Sequence, residues 1–197
     1  MLEHRALVEQ SAAALAARTS HRIDDPTRAL RQAAVAVLLV ERDGATWVPL
    51  IVRGADAPTH SGQIALPGGG FDISDMDLVD TACRETHEEL GVPRHAPRVL
   101  GTLDDVPTPT GYAITPVVAE LDPSIVFAPN PREVAAWFWA PLALFFDRGA
   151  AEFLGAREWN GVLYTLRAYR YGEHRIWGAT ARILEAVVEL CGGPPRD

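Results

Sequence analysis

The stretch "LPGGGFDISDMDLVDTACRETHEELGV", Leu66 to Val92, holds four glycines and seven carboxylates in 27 positions. The glycines come first. The acids crowd at the far end, where Arg84-Glu85-Thr86-His87-Glu88-Glu89 packs three glutamates into five residues. The pattern predicts a helix over Asp75 to Leu90: Ser74 with Asp77 resembles a capping box, and Gly91 followed by Pro93 stops the helix. Positions i, i+3 and i+4 share a helix face, so Glu85, Glu88 and Glu89 are expected to converge. Val79, Ala82, Cys83, Thr86 and Leu90 then turn toward a core.

Like charges at this spacing oppose helix formation, and acids in the last turns also meet the unfavourable end of the helix dipole. Something must compensate. Hard divalent cations such as Mg²⁺ or Mn²⁺ take oxygen ligands, and a carboxylate triad offers a site for them. A bare acidic face is more often simply solvated, and a glycine run is more often an ordinary turn. Here the two occur together. Pro67-Gly68-Gly69-Gly70 supplies backbone that can approach a ligand closely and take positive φ, presenting carbonyls to metal and amides to phosphate.

Outward from this segment, the 197-residue chain is 48% hydrophobic and 22% charged, the composition of a globular protein able to bury a sizeable core. One domain over residues 1–197 is expected. Leu2, Leu7, Val8, Ala12, Leu15 and Ala16 recur at helical spacing, predicting an amphipathic helix within residues 1–20 that acts as a cap or as a homodimer contact. No apolar run reaches membrane-spanning length and the N-terminus lacks a signal-peptide core, so a cytoplasmic location without membrane partners is expected. A net charge of −8 argues against nucleic acid as a partner. All 18 basic residues are arginine, which excludes lysine nucleophiles and Schiff bases. Cys83 and Cys191 form no metal-binding or disulfide pattern and read as buried thiols.

"AAVAVLLV" (33–40) and "WVPLIVR" (47–53) predict a hairpin across "RDGA". Further strands are expected over 98–105, 115–121, 135–142 and 162–171, and a helix over 179–191. "DDVPTPTGY" and "FAPNPRE" read as loops. The order is mixed α and β without regular alternation.

The segment "RETHEELGV" behind Gly70 resembles the box of the Nudix hydrolase family: Gly, five residues, Glu, seven residues, then Arg-Glu-x-x-Glu-Glu-x-Gly. One box position departs, because Met76 stands where the family has its first Glu. In the family that Glu braces the box, often through the Arg, and Asp72 or Asp75 is its candidate replacement as partner to Arg84. "HSGQIALPGG" (60–69), "TGYAITPVV" (110–118) and "IWGATARIL" (176–184) resemble the coenzyme A pyrophosphatase branch. Its upstream signature is matched in part. Arg53, Gly62, Pro67, Gly68 and Gly69 agree, while Ile51, Gly54, Pro58 and Leu66 do not.

The resemblance implies a Nudix-type α+β fold, a mixed β-sheet sandwiched between α-helices. It implies divalent-metal-dependent hydrolysis of a diphosphate linkage in a nucleotide derivative, coenzyme A or a related compound, with Mg²⁺ or Mn²⁺ as cofactor. Glu85, Glu88 and Glu89 are the implied metal ligands, with Glu88 or Glu89 as base and Arg84 orienting them. Arg53, Gly68, Gly69 and Tyr112 are candidates for substrate binding, and Glu133 for a further acid near the site. Trp177 reads as core packing, His87 as facing solvent, and His60 as a loop residue. Pro58 replaces the second arginine of the signature with a residue that has no donor, which predicts coenzyme A to be a poor substrate. The competing class is a non-catalytic nucleotide-binding module, raised by Met76 and Pro58.

Overall fold

The computed structural model describes residues 3–24, 29–54, 62–159 and 162–194. Its centre is strand β1 (Arg31–Arg42), which pairs antiparallel with β2 (Ala45–Arg53), as the hairpin reading expects. β1 also pairs parallel with β7 (Tyr112–Leu121) over ten residue pairs, so it is buried on both edges. Ala34, Ala36, Leu38 and Val40 face one core, and Val35, Val37 and Leu39 face a second. Burial on both faces is why the sequence reads as an unbroken apolar run.

The remaining strands extend this mixed eight-stranded sheet. β3 (Ile64–Ala65) and β8 (Val134–Pro141) pair with β2, β4 (Gly68–Gly70) with β1, and β5 (Arg98–Thr102) and β6 (Val106–Pro107) with β7. Helix α2 (Leu78–Leu90) covers one face, burying Ala82 and Leu90 against Ala34, Ala36 and Leu38. Helices α1 (His4–Ala16) and α3 (Gly178–Leu190) cover the other. The apolar stripe of α1, Leu7, Val8 and Leu15, is buried in its own chain, so α1 caps this core. A second sheet of β9 (Glu152–Trp159), β10 (Val162–Tyr171) and β11 (His174–Trp177) joins this core through Tyr169 and Ile176. The result is the expected mixed sheet between helices.

Several local expectations are corrected. α2 starts at Leu78, with Asp77 itself as N-cap accepting from the Val79 and Asp80 amides at 2.8 and 2.9 Å; Ser74 instead closes a turn on Asp72. The strand expected over 98–105 ends at Thr102, after an irregularity at Gly101. Leu103 still donates to the Pro116 carbonyl at 2.9 Å, and before β6 resumes the pairing Asp105 accepts from the Ile23 amide at 2.9 Å and the Thr115 hydroxyl at 2.6 Å. β9 and β11 were not expected, because "EFLGAREW" mixes charges with a glycine and "HRIW" is too short to show a period. Cys191 is buried, but Cys83 is only half-buried.

The glycine segment is a strand rather than the ordinary turn that a glycine run suggests, and this decides where α2 sits. Gly69 pairs with Ala34 and Gly68 with Val35, and Gly68 has φ +155°. A Cβ on Gly68 would lie 2.3 Å from the Ala34 carbonyl oxygen and 2.6 Å from Val35 Cα. One on Gly69 would lie 2.4 Å from the Glu85 carboxylate. Only hydrogen atoms fit between β1, β4 and α2. Gly70 has open space. Gly68→Ala is therefore expected to cost about 3 kcal/mol or more through overpacking and strain, while Gly70→Ala stays within about 0.5 kcal/mol. Chemical denaturation of the two variants checks this contrast.

Candidate active site

The acid helix is organised by one guanidinium. Arg84 Nε and Nη2 donate to Asp75 Oδ1 and Oδ2 at 2.8 and 3.0 Å, a bidentate pair in which the Asp75 side chain is 1% exposed. Nη1 donates to Glu85 at 2.8 Å and Glu88 at 3.0 Å, and Nη2 also reaches the Gly70 carbonyl at 2.9 Å. Arg84 is thus held from five acceptors and is no surface arginine. Asp75 further accepts from the Thr81 hydroxyl at 2.8 Å and the Asp72 amide at 3.0 Å. The Arg84 hydrogen bonds, outweighing the cost of burial, hold the Asp75 carboxyl far below the ordinary carboxylate range.

Met76, where the family has Glu, is 88% exposed and braces nothing. Asp75, one residue earlier, takes the arginine instead. Of the two candidate replacements, Asp72 binds Ser74 and does not reach Arg84. The departure at Met76 therefore leaves the box held together, which removes one of the two supports for a non-catalytic module.

Glu89 is 4% exposed, and its carboxylate accepts from the Gly68 amide at 2.9 Å. That amide is therefore committed to Glu89 and not to a phosphate. Burial pushes the Glu89 carboxyl up to about 8; the charges of Glu85 and Glu133 add to this, and the Gly68 amide and Arg53 oppose it. Burial likewise raises Glu85 above its ordinary value, against the pull of Arg84 and with Glu88 and Glu133 adding repulsion. Glu133 thus belongs to the acidic group electrostatically. It is placed by the loop before β8, whose Ala128 and Asn130 amides cap the Leu90 and Glu89 carbonyls at 2.8 and 3.0 Å, while the Asn130 side chain donates to Glu133 at 2.8 Å.

The expected convergence of Glu85, Glu88 and Glu89 is only partial. Arg84 draws Glu85 and Glu88 to one side while Gly68 holds Glu89, and among the described residues no three His, Cys, Asp or Glu side chains are gathered closely enough for one ion. The donor chemistry nonetheless suits a hard divalent cation. All the ligating atoms on offer are oxygens, and burial and mutual repulsion disfavour the ionised forms of Glu85 and Glu89, which a dication would restore.

Beside this group lies a cavity of about 530 Å³. The three segments singled out in the sequence meet around it, through Ile64 and Gly68, Tyr112 and Ile114, and Trp177 and Thr180. Gly68 is common to the cavity wall and the Glu89 hydrogen bond. Arg53, at the end of β2, also lines the cavity, and its Nε is buried with no partner among the described residues. Tyr112 sits under Arg31, whose guanidinium is 4.1 Å from the ring centroid. Trp177 is 41% exposed and lines the cavity, correcting its reading as core. His87 is exposed as expected, its ring 3.1 Å from the Val92 carbonyl. His60 and Pro58 lie outside the described residues. Sequence reasoning did not single out three cavity residues, Arg157, Tyr164 and Arg182. Arg182 stands inside a quoted segment and was there to be weighed, whereas Arg157 and Tyr164 come from a hairpin whose first strand carried no signal.

The NUDIX domain family matches residues 30–158. The uncharacterized Nudix hydrolase NudL of Photorhabdus laumondii is 34% identical over 159 residues, covering 81% of this chain and 84% of that protein. NudL of Cronobacter sakazakii is 35% identical over 165 residues, covering 84% and 85%. Among solved structures, a MutT/nudix family protein from Enterococcus faecalis shares the fold with a TM-score of 0.51 at 18% identity, covering 90% of this chain and 71% of that one. The chain belongs to the Nudix family and is a Nudix hydrolase, a class that cleaves pyrophosphate linkages in nucleotide derivatives. No helix among the described residues is long and apolar enough to cross a membrane.

The contrast between Asp75 and Met76 is directly testable. Asp75→Asn is expected to lose about 1.5–3 kcal/mol at pH 7, the range for hydrogen bonds to a charged group. Met76→Ala should change stability by less than about 0.5 kcal/mol. Because the folded-state pKa of Asp75 is depressed, its contribution is full above its unfolded pKa of about 4 and is lost as the pH falls toward the folded value. Urea unfolding between pH 7 and pH 2.5 should therefore show the gap between wild type and Asp75→Asn closing as the pH drops.

Proposed function

We propose that this protein hydrolyses the diphosphate linkage of a nucleotide derivative seated in the 530 Å³ cavity, using divalent metal held by Glu85, Glu88 and Glu89. The observation that carries the reading is the double role of Gly68. It forms part of the cavity wall, and its amide fixes the buried Glu89, so a ligand in the cavity lies against the acid helix. When bound, Mg²⁺ or Mn²⁺ supplies charge neutralisation at the phosphoryl oxygens and lowers the pKa of water.

The chain's own groups divide the remaining work. Arg84 orients Glu85 and Glu88, and Asp75 fixes Arg84 in turn. Arg53, whose charge acts on Glu89 and whose Nε is buried without a partner among the described residues, is placed to meet a phosphate oxygen. Glu88 is the more accessible base, with its side chain 43% exposed, whereas Glu89 is the buried ligand. Tyr112, backed by Arg31, offers a flat surface to the organic part of the substrate. Gly69 keeps β4 close to Glu85, and Glu133 adds negative charge beside the metal ligands.

Thermal stability should rise with millimolar Mn²⁺ or Mg²⁺, because a ligand bound only by the folded state stabilises it by mass action. Glu89→Gln should remove most of that gain and lower kcat by about 10²-fold or more. Turnover is best sought by chromatography with coenzyme A, NADH, ADP-ribose and nucleoside triphosphates. Pro58 predicts ADP-ribose to be cleaved better than coenzyme A. A wild-type protein with neither a metal-dependent shift nor turnover of any member would overturn the reading.

A further inference from the structure

The 530 Å³ cavity is a slot between two layers of the fold. Val35 of β1, Ile64 of β3 and Ile114 of β7 line it from the face of the large sheet that carries α3. Leu166 of β10 and Ala179 and Ile183 of α3 line it from the other layer. The Thr180 hydroxyl donates to the Ile64 carbonyl at 3.2 Å and ties the two layers together. Strand register brings this aliphatic floor to the acid helix. Val35 pairs with Gly68, whose amide holds Glu89, and Ala33, which also lines the slot, pairs with both Gly70 and Ile114.

Facing aliphatic layers normally interlock at high density, because each side chain gains dispersion contacts from the layer opposite. Here they stand apart. Water in such a gap needs polar partners, and the hydroxyls of the described lining are engaged with the protein. Thr108 Oγ1 accepts from the Tyr112 amide at 3.0 Å and lies 3.1 Å from the Thr110 hydroxyl, and Thr180 donates to Ile64. A nucleobase in the slot would set its ring nitrogens and exocyclic groups against these walls and lose their bonds to water. A hydrocarbon chain brings no such groups, and each methylene it buries is favourable. The charged lining groups are Arg53, which ends β2 and acts on Glu89, the exposed Arg157, and Arg182, whose guanidinium lies over the Tyr164 ring at 4.0 Å from its centroid. None comes from β1, β3 or β7, which supply the floor.

We propose that the slot between the large sheet and α3 takes a hydrocarbon arm, so that this enzyme selects nucleoside diphosphate esters whose second arm is an aliphatic chain. This rests on the cavity being the substrate site, and it deepens that reading. The diphosphate lies at the Gly68 end, where the acid helix begins, and the chain runs between Ile114 and Ile183.

A homologous series isolates the arm: the methyl, butyl and octyl esters of the terminal phosphate of ADP, with diadenosine diphosphate as the compound whose second arm is a nucleoside. Affinities are measured by calorimetry in EDTA, so that neither metal nor turnover enters. With Mn²⁺, kcat/KM is read from the release of AMP, since water splits each ester into AMP and the alkyl phosphate. The butyl ester should bind about tenfold or more tighter than the methyl ester, a conservative figure for three added methylenes at up to about fourfold each. Ala179→Phe, which fills the slot, should bring that ratio to within about twofold of unity by removing the burial. Leu166→Ala, which widens the slot, should raise the octyl-to-butyl ratio, and it decides the matter should the Phe variant not fold. Equal affinity across the esters in wild type, a chain-length dependence that survives Ala179→Phe, or an octyl-to-butyl ratio unmoved by Leu166→Ala overturns the proposal. So does diadenosine diphosphate binding tighter than every ester, which would assign the slot to a base. Chain-length-dependent binding without turnover of any compound would overturn the hydrolytic assignment and leave the slot standing; turnover without chain-length dependence would do the reverse.

Discussion

The Arg84–Asp75 pair is the contact on which the site depends. Seven carboxylates between Leu66 and Val92 repel one another, and the helix that carries most of them ends with its dipole against them. A single guanidinium placed where it meets Asp75, Glu85, Glu88 and the Gly70 carbonyl turns this repulsion into a connected network. The network is stabilising because it is nearly complete: Asp75 is covered, and its carboxylate also receives Thr81 and the Asp72 amide. It also explains how the chain tolerates an exposed Met76 at a position where its family has a glutamate. What the box requires is an anion under Arg84, and the turn from Asp72 to Asp77 delivers Asp75 there.

Glycine controls the second dimension of the site. β4 lies so close to β1 and α2 that Gly68 and Gly69 have no room for side chains, and this closeness lets a backbone amide reach Glu89. Glu89 is thereby buried at the cavity wall rather than spread into solvent with Glu88. The same approach sets the energetic tension of the site, because a carboxyl in that position is disfavoured as an anion until positive charge arrives. Burial and repulsion act together on these carboxyls, with Glu133 contributing from a loop that caps the same helix.

Charge is sorted across the molecule. Acids collect on α2 and at Glu133, and arginines line the neighbouring cavity. Two sheets and α3 contribute to this division, and Gly68 is the residue at which the two regions touch.

Much of the fold was legible because its signals are local. A strand buried on both faces must be apolar throughout, which marked β1, and a helix packed on one side must repeat every three to four residues, which marked α2 and α3. The crowded glutamates and Arg84 could be read as one face because helical geometry fixes neighbours within a turn. Other features depend on which distant segments meet. The sequence left Asp72 and Asp75 equal as partners for Arg84, since only the turn before α2 decides which carboxylate is delivered. It read the glycines as a turn-forming run, since pairing with β1 is a long-range contact that local preference for glycine opposes. It gave no sign of β9, whose charged residues lie at the surface, or of the union of Arg53, Arg157 and Arg182 around one cavity. Local periodicity determined the elements and the acid face; the pairing of β4 with β1 and the packing of the small sheet beside α3 decided the site, because both rest on contacts between residues tens of positions apart.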